Sequence, residues 1–115
     1  MKRFPAILFL SLMIFSFGAL ANCINDQSGN VVCGGGQCEA DQYGKVYCAQ
    51  PGGGAVKDDH GNVQCGAGYC ERDSFGKVWC SRVRGGGAKL DDHGVVQCLG
   101  GCEPGTPVNC SKASH

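Results

Sequence analysis

Two short runs, Asp58-Asp59-His60 and Asp91-Asp92-His93, each set two carboxylates beside an imidazole. Those groups could hold a divalent metal, and histidine is the commonest ligand for transition ions. A calcium loop would need more oxygens at another spacing, and Asp-x-Asp-x-Asp-Gly does not occur. The competing reading is a tight turn, in which the first Asp makes the turn and its neighbours are exposed. Ten cysteines are the second source of chemistry. Cys33-x4-Cys38 and Cys65-x4-Cys70 come close to paired thiolate knuckles for zinc, but no Cys-x-x-Cys is present, which removes a thioredoxin-type pair and a c-type haem. The third group is aromatic. Tyr43, Tyr47, Phe75 and Trp79, with Tyr69 nearby, are of the types that dominate binding hot spots. Ser28, Ser74, Ser81, Ser111 and Ser114 sit in no nucleophile-elbow motif, and nothing evident orients the histidines, so catalysis is not expected. No cofactor is implied.

All these groups stand inside one repeated phrase. Asp-x-x-Gly-x-Val-x-Cys occurs at Asp26–Cys33, Asp41–Cys48, Asp58–Cys65, Asp73–Cys80 and Asp91–Cys98, with a worn sixth copy at Gly105–Cys110. Three positions before each intact Asp stands Cys23, Cys38, Ala55, Cys70 or Ala88. The unit is therefore an eleven-residue element with Asp at position 4, Gly at 7, Val at 9 and Cys at 11. Self-similarity at fixed spacing marks an array of small supersecondary units, and here also bears against an enzyme, whose active site is normally one asymmetric constellation.

Residues 1–21 read as a signal peptide: Lys2 and Arg3, then an apolar run from Ala6 to Leu20, then Ala19-Leu20-Ala21 as a small-x-small cleavage site. The run is short for a membrane span. Leu20-Ala21-Asn22-Cys23 looks like a lipobox, but Asn22 fits it badly and a lipidated Cys23 would leave nine cysteines to pair. The expectation is a bacterial-type Sec signal and a periplasmic or secreted protein of residues 22–115. That part holds every cysteine, nineteen glycines and only thirteen Ile, Leu and Val residues. So thin an apolar inventory in a small exported domain calls for disulfide staples. Without Lys2 and Arg3 the chain has eight basic and ten acidic residues, which argues against nucleic acid or an anionic membrane as partner.

Asp-x-x-Gly is the chemistry of a type I turn closed by a glycine bulge. Such a turn sets position 4 against 8, 3 against 9, 2 against 10 and 1 against 11, so the cysteines of an element face each other. Opposed residues lie within disulfide reach. The expected pairs are Cys23–Cys33, Cys38–Cys48, Cys70–Cys80 and, in the shorter sixth unit, Cys102–Cys110. Cys65 and Cys98, opposite Ala55 and Ala88, are then left to pair with each other. A rival scheme joins Cys33–Cys38, Cys65–Cys70 and Cys98–Cys102, leaving Cys23, Cys48, Cys80 and Cys110 to pair at long range, and sequence alone does not exclude it.

The fold expected is all-β, small and disulfide-rich: six short hairpin units in three repeats (about 22–54, 55–87 and 88–115) joined by Gly-rich linkers. Gly34–Gly36, Gly52–Gly54 and Gly85–Gly87 are either flexible connectors or sites where backbones pass closely. Val31, Val46, Val63, Val78, Val96 and Val108 should share the disulfide face as a thin core. Tyr43, Tyr47, Phe75 and Trp79 should lie on the other face, either as a surface for a protein, peptide or glycan or as a second small core. The function expected is a non-catalytic exported binding or structural module. An inhibitor of an exported enzyme, presenting the turn Asp73-Ser74-Phe75-Gly76, and metal binding through the Asp-Asp-His turns are the alternatives.

Overall fold

The Asp and Gly of each phrase build the same turn five times over. In each, an Asp Oδ1 accepts the N–H groups two and four residues ahead, at 2.9–3.0 Å. The glycine N–H donates back to the Asp carbonyl at 3.0–3.1 Å. Gly29, Gly44, Gly61, Gly76 and Gly94 all have φ between 81° and 87°, a region that suits a residue without a Cβ. The computed structural model describes residues 22–113, so the signal peptide expected at 1–21 lies outside the described residues.

These turns close five antiparallel hairpins. Hairpin 1 pairs β1 (Asn22–Asn25) with β2 (Val31–Gly34), and hairpin 2 pairs β3 (Cys38–Ala40) with β4 (Val46–Ala49). Hairpin 3 pairs β5 (Ala55–Lys57) with β6 (Val63–Cys65), and hairpin 4 pairs β7 (Cys70–Arg72) with β8 (Val78–Ser81). Hairpin 5 pairs β9 (Ala88–Leu90) with β10 (Val96–Cys98). The register is the same in all five: position 1 opposes 11, 2 opposes 10 and 3 opposes 9. Cys23–Cys33, Cys38–Cys48 and Cys70–Cys80 accordingly close across their hairpins, with Cα atoms 3.9–4.0 Å apart.

The hairpins stack head to tail. Call positions 1, 3, 9 and 11 the odd face and positions 2, 8 and 10 the even face. Ile24 and Val32, on the even face of hairpin 1, pack on Cys38, Ala40, Val46 and Cys48 of the odd face of hairpin 2. Tyr47 packs likewise on Ala55, Val63 and Cys65, and Val56 on Cys70, Val78 and Cys80. Val46, Val63, Val78 and Val96 are thereby buried, each side chain contributing roughly 1.5–3 kcal/mol. Two of the six valines expected in the core are not there. Val31 is 58% exposed, because no hairpin covers the odd face of hairpin 1, and Val32 on the other face is buried in its place. Val108, in the worn sixth phrase, is 89% exposed.

The glycine runs are places where backbones pass closely. Gln37 N–H donates to the Gly53 carbonyl, Gly54 N–H to Gly68 and Tyr69 N–H to Gly86, at 2.8–3.1 Å. A Cβ on Gly53 would strike the Gly66 carbonyl, and one on Gly36 the Gln50 carbonyl.

The sixth phrase does not form a hairpin, which corrects two expected disulfides. Gly100 and Gly101, with φ of 75° and 95°, reverse the chain directly after hairpin 5 and bring Cys102 onto Cys98. The chain then runs back along the stack as a strap. β11 (Cys102–Pro104) pairs with β8, Thr106 bridges to Cys65, and β12 (Cys110–Lys112) pairs with β4. Ala113 ends on Val46 and the first two hairpins' shared core. Cys65 is bonded to Cys110, not to Cys98, and Cys102 to Cys98, not to Cys110. The cause is physical. Hairpin 4 stands between Cys65 and Cys98 in the stack, and the sixth phrase lacks the Asp that would make its turn and carries Pro107, which has no N–H to give a ladder. Ala55, buried opposite Cys65, leaves that sulfur free for the strap.

Candidate functional site: the turn edge

Stacking sets the five turns in one row. Gln42 N–H donates to the Gly61 carbonyl at 2.8 Å, Asp59 N–H to Gly76 at 3.3 Å and Ser74 N–H to Gly94 at 3.2 Å. Position 6, at the tip of each turn, is Ser28, Tyr43, His60, Phe75 and His93 in order, and all five are exposed. Tyr43 is 73% and Phe75 86% exposed, high values in a chain with so few apolar side chains to bury. Clefts lie on both sides of Phe75. One of about 360 Å³ is lined by Asp59, His60, Gln64, Phe75 and Lys77, and one of about 290 Å³ by Asp73, Phe75, Trp79, Val95 and Val96.

The four aromatic candidates therefore divide. Tyr43 and Phe75 stand at the turn edge in solvent, while Tyr47 and Trp79 are half-buried between successive hairpins. Trp79 is fixed further by its indole N–H, which donates to Asp73 Oδ2 at 2.9 Å, and by the Lys77 ammonium 4.6 Å from its ring. Gln64 and Gln97 make the same bond from the same position, to Asp58 Oδ2 and Asp91 Oδ2 at 2.9 Å. That shared role was open to the sequence, since all three side chains carry an N–H at position 10.

These bonds set the carboxylates' acidity. The Trp79 indole, with the N–H groups of Lys77 and Phe75 and the Lys77 charge, holds Asp73 below the ordinary value. The Gln97 amide and the N–H groups of Val95 and His93 do the same for Asp91. At Asp58 partial burial pushes the other way, and is outweighed by the Asn62 N–H, the Gln64 amide, the His60 N–H and the His60 ring.

Of the two Asp-Asp-His runs, the structure brings Asp58, Asp59 and His60 together with ligand atoms within 4.8 Å of one another. His60 Nδ1 lies 3.1 Å from Asp59 Oδ1, both side chains exposed. Asp58 already accepts three N–H groups, however, and Asp59 lies against Gly76 of the next turn. Asp91 is occupied in the same way, with Asp92 and His93 exposed beside it. What the row offers chemically is aromatic stacking alternating with imidazole hydrogen bonding. Its regularity is hard to see in the sequence because the aromatic turns and the histidine turns differ in residue type at their shared tip position. Aligning position 6 alone would have joined them.

The described residues hold no free cysteine, and five disulfides in so small a chain fit an oxidising compartment. No helix among them is long and apolar enough to cross a membrane. No protein family, curated protein or solved structure matches the chain.

Proposed function

We propose that the chain is an exported, non-catalytic binding module that holds an extended partner, a peptide or a glycan, along its turn edge. One observation carries the reading: Tyr43 and Phe75 occupy the same turn position and stand 73% and 86% exposed, whereas Tyr47 and Trp79 are half-buried between hairpins. Aromatic rings on a preorganised backbone bind at low entropic cost, because the turns have nothing left to order. His60 and His93 interleave with them as hydrogen-bonding groups, and the clefts beside Phe75 take side chains or sugar rings. Export through the segment 1–21 suits the disulfides, and Cys23, bonded to Cys33, has no sulfur to give a lipid.

The test is selection from a random linear-peptide display library, together with cosedimentation on insoluble polysaccharides, for the oxidised protein and its Tyr43→Ser/Phe75→Ser variant. Enriched peptides or a bound polysaccharide that the variant loses, with its disulfides unchanged, are the expected result. Capture of neither, or capture that the variant retains, overturns the reading. An inhibitor presenting Phe75 is the second reading, favoured by the 86% exposure of that ring on a turn held by four hydrogen bonds. Inhibition of an exported hydrolase that Phe75→Ser alone abolishes would establish it.

A further inference from the structure

Each interior junction of the stack joins a plug to a socket. The position-5 residue of one hairpin (Gln27, Gln42, Asp59 or Ser74) lies against the turn glycine of the next (Gly44, Gly61, Gly76 or Gly94), so closely that a Cβ there would collide with it. At three of the four junctions the position-5 N–H also donates to that glycine's carbonyl. Among the described residues, one socket and one plug are left over. Nothing lies within 4 Å of where a Cβ on Gly29 would stand. Asp92, the plug of hairpin 5, is exposed, with no following hairpin to receive it.

The two end faces are unpaired in the same complementary way. The odd face of hairpin 1 leaves Val31 58% exposed, although its counterparts Val46, Val63, Val78 and Val96 are at most 7% exposed under a neighbouring hairpin. The even face of hairpin 5 leaves Gln97 exposed, although its counterparts at position 10, Val32, Tyr47, Gln64 and Trp79, are buried or half-buried under a neighbouring hairpin. Gln97 is already turned onto Asp91, just as Gln64 is turned onto Asp58 inside the stack. The last face is thus arranged like the interior face of hairpin 3. Stacked-repeat proteins ordinarily close their ends with polar caps, and Val31 does not suit one.

We propose that a second copy of this chain docks head to tail, hairpin 5 of one copy seating on hairpin 1 of the next. Gln97 covers Val31, and Asp92 meets Gly29 as Asp59 meets Gly76. The contact joins two different surfaces, so it does not close on itself as a two-fold dimer does, and copies add in a line. One junction is small beside a stable interface, so association rises with concentration. Such a line would also continue the row of turn tips from copy to copy.

Sedimentation velocity over a concentration series tests this with the oxidised mature protein, Val31→Arg, Gln97→Arg and an equal mixture of the two variants. The unsubstituted protein should form species larger than a dimer. Each variant alone should stay monomeric, because every junction needs both ends. The mixture should give one-to-one dimers and nothing larger, since only one productive junction exists. A protein that is monomeric throughout, a variant that still self-associates, or a mixture that fails to pair overturns the proposal. Both positions are exposed, and an unchanged disulfide map shows that the fold survives. Should arginine disturb it, Val31→Lys and Gln97→Lys read out the same pattern.

Discussion

Gln64, Trp79 and Gln97 share little as side chains, yet each places one N–H on the outer oxygen of its hairpin's turn aspartate. The inner oxygen of the same carboxylate holds the turn. A single charged group thus fastens both the reversal and the even face, and Asp73→Asn separates the two duties. The amide oxygen still accepts from Phe75 and Lys77, but the amide nitrogen cannot accept from Trp79. The expected outcome is an intact turn with a released indole. Trp79 is the chain's one tryptophan, so its emission should shift to the red with little change in the disulfide pattern. The pH dependence has a definite sign. Asp58, Asp73 and Asp91 titrate below the ordinary value of 3.8 when folded, so the unfolded chain takes up their protons first. Their stabilisation is complete above that ordinary value and is lost as pH falls through the folded value. Melting temperature should therefore drop below about pH 4, less steeply in Asp73→Asn, and Trp79 emission followed during acidification should turn over below 3.8. A turnover at or above that value would remove the Trp79–Asp73 bond as the cause.

The hairpin is the level at which the chain was most legible. Its register follows from Asp at 4, Gly at 7 and cysteines at 1 and 11, all within eleven residues, and local chemistry of that kind needs no knowledge of neighbours. What the hairpin rests against is another matter. Ile24 and Val32, at positions 2 and 10 away from the disulfide face, prove to be half of a core, since the partner side chains, Val46 and Cys48, belong to another unit. The turn glycines measure how much of an element's stability is its own. Gly29 and Gly61 have nearly the same φ, 85° and 83°, but only Gly61 lies under a neighbour, with Gln42 Cβ 2.7 Å from where its own would stand. Gly29→Ala should cost the left-handed penalty alone, about 1–2 kcal/mol. Gly61→Ala should cost more, because the junction with hairpin 2 must open as well. Urea unfolding of both variants separates the two contributions, and equal losses would mean that turn stacking adds nothing to stability.

The strap binds these elements into one molecule, and it was the least legible part. Its contacts are backbone pairs made by β11, Gly105, Thr106 and β12 and a disulfide spanning 45 residues, none of which leaves a periodic mark in the sequence. Only the missing Asp of the sixth phrase hinted that it was no hairpin. The two C-terminal disulfides should therefore differ sharply in worth. Cys65–Cys110 closes a loop of 45 residues and fixes the strap at mid-stack, whereas Cys98–Cys102 closes a loop of only 4. Chain entropy puts the first near about 4 kcal/mol and the second near about 2 kcal/mol. Cys65→Ala/Cys110→Ala should lower unfolding free energy by about twice as much as Cys98→Ala/Cys102→Ala in matched urea titrations. It should also speed amide exchange at Thr106 and at position 65, whose backbone N–H groups hold the bridge between strap and stack. Hairpins 2 and 4 keep their own staples in both variants, so Phe75 and Tyr43 should stay in their row while the strap loosens. Equal losses from the two pairs would show that the strap is held by its ladder bonds to β8 and β4, with the disulfide only recording where it lies.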